Sequence, residues 1–322
     1  MKKIITLLLV ISIILAVLSG CADDRTLSNN GKYKIITTSF SAYDWTKNII
    51  VDNAELFSLE LIGDNGTDMH SYQPTAADIV SINESDLFIY IGSNGDEWAD
   101  AVIENSDKDI KAIKMLETVG SAVLEETALE NSSHVHNHTH ADDENLDEHI
   151  WLSLKNAVTV CEEIAEYLMI IDEDNSQNYK RNTEEYEARL KTLYNKYTEE
   201  LKLKKDKPLI FADRFPFRYL TEEYGLKYYS CFNGCSTETE ASFDSVVFLA
   251  DKIDEFGIKT VLVTEDSDNK IAKTVISNTK EKNQEIIKLN SMQSVIAKEI
   301  DGGLDYISVM EDNLKLLSKA LD

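Results

Sequence analysis

Leu87-Phe88-Ile89-Tyr90-Ile91-Gly92 is an unbroken apolar run closed by glycine. A strand with one wet face alternates apolar and polar residues, and an amphipathic helix leaves polar gaps. A short continuous run is the pattern of a strand covered on both faces, as in parallel sheets flanked by helices. On its N-terminal side lie two further short strand-like stretches, Lys34–Thr38 and the apolar Ser58–Ile62. Helical patterns at Ala42–Ile50 and Thr75–Ile82 separate them, which is βαβ order.

The same order returns toward the C-terminus. Strands are expected at Pro208–Ala212, Lys227–Tyr229, Lys259–Thr264 and Glu285–Leu289, and helices at Ser242–Glu255, Ile271–Thr279 and Tyr306–Leu321. Between the two series, a helical pattern at Leu152–Ile170 precedes a long breaker-poor stretch, Asp174–Lys205. The long stretch carries apolar marks at Tyr179, Tyr186, Leu190, Leu193 and Tyr197, close to one helical face. The spacing predicts two α/β lobes joined by one long helix, with a ligand cleft at the carboxyl ends of the strands. The domains are expected at 33–172, with a polar loop at 119–148, then a linking helix at 173–205 and a second lobe at 206–322.

The chain has 322 residues, 43% of them hydrophobic, enough for about two domains with a sizeable core. Its formal charge of −26 excludes the basic footprint of a nucleic-acid binder. Met1-Lys2-Lys3, the mostly apolar 15-residue run Ile4–Leu18 and Ser19-Gly20-Cys21 form a secretory signal, its run too short to span a bilayer comfortably. Leu18-Ser19-Gly20-Cys21 resembles a bacterial lipobox. That resemblance implies a signal peptide at 1–20, lipidation of Cys21, a tether at 21–32 and a location on the extracytoplasmic face of the cell membrane. Outside the cytosol a Cys231–Cys235 disulfide is open to the chain, whereas Cys161 reads as a buried small apolar residue.

Histidine is scarce, six in all, so its placement is informative. His134, His136, His138 and His140 crowd into the acidic loop, which lacks any packing periodicity and suits local metal capture or sensing. His70 lies in Asp68-Met69-His70-Ser71-Tyr72-Gln73-Pro74, and His149 in Asp147-Glu148-His149-Ile150-Trp151-Leu152. These two stretches resemble the first and second metal-ligand motifs of the zinc and manganese solute-binding lipoproteins of ABC transporters, with Glu148 where that family usually has proline. The lipobox, the Leu87–Gly92 strand, the His-rich loop and the long helix fall in the family's order along the whole mature chain.

The resemblance implies two Rossmann-like lobes with parallel sheets, a rigid linking helix, a metal between the lobes and little domain closure. It implies a monomer that is not an enzyme and that captures zinc, with manganese or iron the alternative, and delivers it to an ABC permease. The third family motif departs from its pattern. Phe211-Ala212-Asp213-Arg214-Phe215 places Ala212 where histidine is usual, and alanine cannot ligate. The expected ligands are His70, His149, Glu240 and Glu265, with Asp213 and Cys235 as candidates for the missing donor and Asp305 a weaker one. Imidazoles with carboxylates suit four-coordinate zinc, and manganese prefers more oxygen. A surface adhesin with a structural metal is a further alternative. A metallohydrolase is disfavoured, because no His-Glu-x-x-His, Gly-x-Ser-x-Gly or phosphate loop occurs.

Overall fold

The computed structural model describes residues 31–63, 66, 72–108, 110–125, 146–232 and 241–322. Strand β1 (Tyr33–Thr37) leads into helix α1 (Phe40–Ile49), whose N-terminal Ser39 hydroxyl accepts the Ala42 N–H at 3.2 Å. Strand β2 (Phe57–Leu61) follows, then α2 (Ala76–Asn83), started by a reciprocal Thr75–Asp78 capping box. The Leu87–Gly92 run supplies β3 (Leu87–Tyr90), every residue of it buried. Helix α3 (Glu97–Glu104), edge strand β4 (Ala112–Lys114) and α4 (Met115–Val119) complete a four-stranded parallel sheet in the order β2-β1-β3-β4. The sequence reading did not include these last three elements. They are short, and β4 has only one buried residue, so neither length nor periodicity betrays them.

Helices α5 (Leu154–Ile171) and α6 (Ser176–Leu201) come next. The 26 residues of α6 make it about 39 Å long at 1.5 Å per residue. Its buried positions, Tyr179, Asn182, Thr183, Tyr186, Leu190, Leu193, Tyr197 and Leu201, fall along one face, with Asn182 and Thr183 side by side. The second parallel sheet, β6-β5-β7-β8, contains β5 (Leu209–Phe211), β6 (Tyr228–Ser230), β7 (Thr260–Thr264) and β8 (Glu285–Leu289). Around it lie α7 (Arg218–Tyr224), α8 (Phe243–Phe256), α9 (Lys270–Ser277), α10 (Ala297–Asp301) and α11 (Tyr306–Ala320). Gly257, at φ +61°, ends α8 in the left-handed conformation that favours glycine.

One apolar core runs through both lobes. Trp45, Leu87 and Trp151 of the first share it with Phe211, Leu262 and Tyr306 of the second, and Leu190 and Tyr197 of α6 lie between. Trp45 and Tyr306 meet edge to face at 5.2 Å. Two smaller clusters lie beneath β3 and around β7.

The polar loop begins later and ends earlier than the sequence suggests. Val119 is buried at the end of α4, residues Gly120–Ala122 form a 3-10 turn, and Glu125 bridges Leu146. The Tyr219 hydroxyl ties both ends, donating to the Asp147 carbonyl at 2.7 Å and accepting the Leu124 N–H at 3.0 Å. Partners distant in sequence fix these ends, which local composition cannot reveal. Among the described residues no helix is long and apolar enough to cross a membrane.

Candidate metal centre

His149 stands just before a 3-10 turn, Ile150–Leu152, that leads into α5, and its ring has no exposure to solvent. The Asp147 carboxylate, itself 1% exposed, organises it. One oxygen, Oδ1, accepts both the His149 backbone N–H at 2.9 Å and the ring Nδ1–H at 2.8 Å. A proton held on Nδ1 leaves the lone pair of the neutral imidazole on Nε2. A carboxylate on the far nitrogen also raises the basicity of the near one, which is how histidine is prepared as a metal ligand. Asp147 Oδ2 is buried with no hydrogen-bond partner. Trp151 packs edge to face on the imidazole, ring centres 5.3 Å apart, and its indole N–H donates to the Ser291 carbonyl at 2.8 Å.

Glu265 follows the last residue of β7, at the carboxyl end of the second sheet. Ser291 grips its carboxylate twice, the backbone N–H donating to Oε2 and the hydroxyl to Oε1, each at 2.8 Å. Burial pushes the carboxyl pKa up, and the Ser291 hydrogen bonds act in the opposite direction. The Ser291 hydroxyl also lies 3.0 Å from Gln293 Oε1, and Gln293 Nε2 lies 2.9 Å from His149 Nε2. Asp147, His149, Gln293, Ser291 and Glu265 therefore form one continuous polar chain across the lobes.

A narrow cavity of about 20 Å³ adjoins this chain, lined by Thr38, Tyr72, Asp96 and Trp98 from the first lobe and by Met292 and Gln293 from the second. That is room for about one water molecule. Asp96 accepts the N–H groups of Ile91 and Gly92 just beyond β3, at 3.1 and 3.0 Å. Burial pushes its carboxyl up to about 6, with a smaller push from Glu148. The lobes are close here. A Cβ on Gly66, at φ +80°, would fall 2.8 Å from Ile296 Cγ2.

The structure thus brings His149 and Glu265 to one interlobe network. Asp213 accepts its neighbour Arg214's N–H at 2.9 Å and the hydroxyl of Thr264, the residue before Glu265, at 3.2 Å. Asp305 caps α11 through the Ser308 N–H at 3.0 Å. Ala212 is buried in the apolar cluster around β7, and Cys231 is a free buried thiol whose pKa burial pushes up to about 12. His70, Glu240, Cys235, the four loop histidines and Cys21 lie outside the described residues. Among the described residues no three His, Cys, Asp or Glu side chains are grouped closely enough to hold a metal. Sequence reasoning missed Ser291 and Gln293. The available signal was their place just past β8, at the ligand-binding edge of an open α/β sheet.

The profile of the ZnuA family, described as zinc-uptake complex component A, periplasmic, matches residues 35–320. The chain belongs to this family. Among relatives, it is 29% identical over 332 aligned positions to the zinc-binding protein AdcA of Streptococcus pyogenes, covering 100% of this chain and 62% of AdcA. It therefore spans under two thirds of the length of AdcA. It is also 29% identical to the high-affinity zinc uptake system protein ZnuA of Bacillus subtilis, with 98% of this chain and 97% of that protein covered. The crystal structure of the Zn(II)-bound ZnuA-like domain of Streptococcus pneumoniae AdcA superposes with a TM-score of 0.70 at 28% identity, covering 91% of this chain and 100% of that domain. A ZnuA-family chain with two parallel α/β sheets and a long intervening helix has the architecture that the sequence patterns predict.

Proposed function

We propose that this chain captures a zinc ion in the cleft between its lobes and delivers it to an ABC permease. A lipid on Cys21 would hold it as a monomer at the extracytoplasmic face of the membrane. The observation that carries the reading is the buried His149, whose Nδ1 is fixed by Asp147 so that Nε2 presents its lone pair at the lobe junction. Family membership and the zinc named for the AdcA and ZnuA relatives support zinc as cargo. In this proposal His70, His149, Glu240 and Glu265 are the ligands, and binding and release involve no chemical step. Neutral imidazole and carboxylate together match the donor chemistry of zinc. The loop histidines would act as a weaker capture site.

The test is a zinc titration against a competing chelator, repeated with excess manganese. One tight zinc site that manganese does not displace, lost in His149→Ala and weakened in Glu265→Gln, is the expected result. Tight zinc binding that survives His149→Ala would overturn the site.

A further inference from the structure

The turn from Asn290 to Ile296 carries more polar connections to the cleft than its length requires. Asn313 of α11 anchors its start, the Asn313 carboxamide accepting the Asn290 N–H at 2.9 Å and donating to the Asn290 carbonyl at 2.8 Å. Glu299 anchors its end by accepting the Ile296 N–H at 3.0 Å. Between these anchors Met292, only 2% exposed, adopts φ +63°, a left-handed conformation that costs a residue with a side chain. The Met292 N–H donates to Asn290 Oδ1 at 2.8 Å, which helps hold the turn. On the next residue, Gln293, 6% exposed, reaches His149.

Asp147 fixes the proton of the imidazole on Nδ1, so the atom that Gln293 contacts is the lone-pair nitrogen, and the amide N–H is the donor. A neutral imidazole has one such lone pair. A cation on Nε2 and the Gln293 amide on Nε2 exclude each other.

We propose that Gln293 is a built-in competitor for the metal, a plug that occupies His149 Nε2 and must swing away before a divalent cation can bind there. This deepens the cleft reading above and rests on His149 being a ligand. Ser291 tethers the carbonyl end of the same amide, 3.0 Å away, while the amide nitrogen is on His149. Its single hydroxyl proton lies within reach of both Glu265 Oε1 and Gln293 Oε1. When Glu265 turns an oxygen to the cation, that proton is left to the Gln293 carbonyl, which stays tethered to Ser291 while the amide nitrogen rotates off the imidazole. No covalent bond changes, and the two exchanged hydrogen bonds are on the same turn. The plug thereby trades affinity for exchangeability, since departure of the metal is assisted by an internal group ready to take its place.

The test uses the full chain with His134, His136, His138 and His140 replaced by Ala, so that only the cleft is read. Gln293→Met keeps the volume and removes the amide, and Gln293→Ala removes both. Two quantities are measured: zinc affinity by chelator competition, and the His149 imidazole nitrogen shifts in metal-free protein. Loss of a neutral hydrogen-bond competitor should tighten zinc about 2- to 10-fold, and the Nε2 resonance should move toward that of an unbonded lone pair. Unchanged or weaker affinity in Gln293→Met overturns the plug, as does an unmoved Nε2 resonance. Zinc affinity that is unaffected by His149→Ala, with Nε2 still shifting in Gln293→Met, would instead overturn the cleft reading and leave the hydrogen bond established.

Discussion

Asp147 offers the sharpest test of how the cleft prepares its histidine. Its Oδ1 accepts two bonds from the same residue, backbone N–H and ring Nδ1–H, while Oδ2 has no partner. Asp147→Asn preserves the accepting oxygen and puts an amide where an unpartnered oxygen stood, so the count of unsatisfied buried groups is unchanged. What it removes is charge. Hydrogen bonds to a charged group contribute about 1.5–3 kcal/mol and neutral ones about 0.5–1.5, so the ring bond loses about 1–1.5 kcal/mol. If that loss is felt at the metal, zinc binds about 5- to 10-fold more weakly. Asp147→Ala removes the tautomer lock as well and should approach the upper end of the roughly 10–100-fold range for outer-shell partners. Chelator competition at constant pH reads both variants, and thermal unfolding confirms that each remains folded. Wild-type zinc affinity in folded Asp147→Ala would refute the claim that this carboxylate prepares Nε2.

Two other predictions concern stability. Tyr219→Phe deletes the hydroxyl that joins the Leu124 N–H and the Asp147 carbonyl, and should cost about 1–3 kcal/mol in chemical denaturation; unchanged stability would show that the two strands of the loop base hold themselves. Asp44 lies 3% exposed on α1, accepting the Tyr306 N–H at 3.2 Å and the Tyr186 hydroxyl at 3.3 Å, and burial lifts its pKa from 3.8 to about 6, with Asp305 adding to the rise and Lys47 opposing it. The folded state therefore holds this proton more tightly than the unfolded state, and stability falls as pH rises from about 4 to 6, by about 3 kcal/mol for this group. Asp44→Asn should remove that component, so its melting temperature should gain on wild type as pH rises from 4 to 7; parallel curves would refute the assignment.

Much of the architecture was legible because buried parallel strands and a one-face helix leave strong local patterns. The run at Leu87–Gly92 and the stripe from Tyr179 to Tyr197 each become the expected element. The short α7 is different. It begins two residues after Pro216, just past the Phe211–Phe215 stretch that was read for ligands, and its seven residues are too few to show a stripe. In the candidate site, His149 and Glu265 were legible as chemistry next to a helix or a strand end. Ser291 and Gln293 were not, because serine and glutamine in a turn are ordinary until a fold places them against a specific imidazole and carboxylate. Asp147 was visible as part of a motif, but its role depends on a two-residue bend that brings Oδ1 to both the backbone N–H and the ring Nδ1 of His149.

The shared core constrains how such a cleft could open. Rotating one lobe away from the other would part Tyr306 from Trp45 and Trp151, with the Tyr306 hydroxyl leaving the Trp151 carbonyl it contacts at 2.5 Å. The Tyr306 N–H would also leave Asp44, and the Tyr197 hydroxyl would leave the Met310 carbonyl. Each large side chain exposed costs about 1.5–3 kcal/mol, before the lost hydrogen bonds are counted. A few such residues equal a sizeable part of the 5–15 kcal/mol that holds a typical domain together. The turn at 290–296 is different. It is short and contains the left-handed Met292, and its Ser291 hydroxyl and Gln293 amide reach Glu265 and His149, so these two side chains can exchange partners while Met292 and the Ser291 carbonyl keep the turn's backbone tied to the core. Rotation of the Gln293 and Ser291 side chains is therefore a lower-energy way to free His149 Nε2 than parting the lobes, and under the proposed function it would give a cation access while the shared core stays closed.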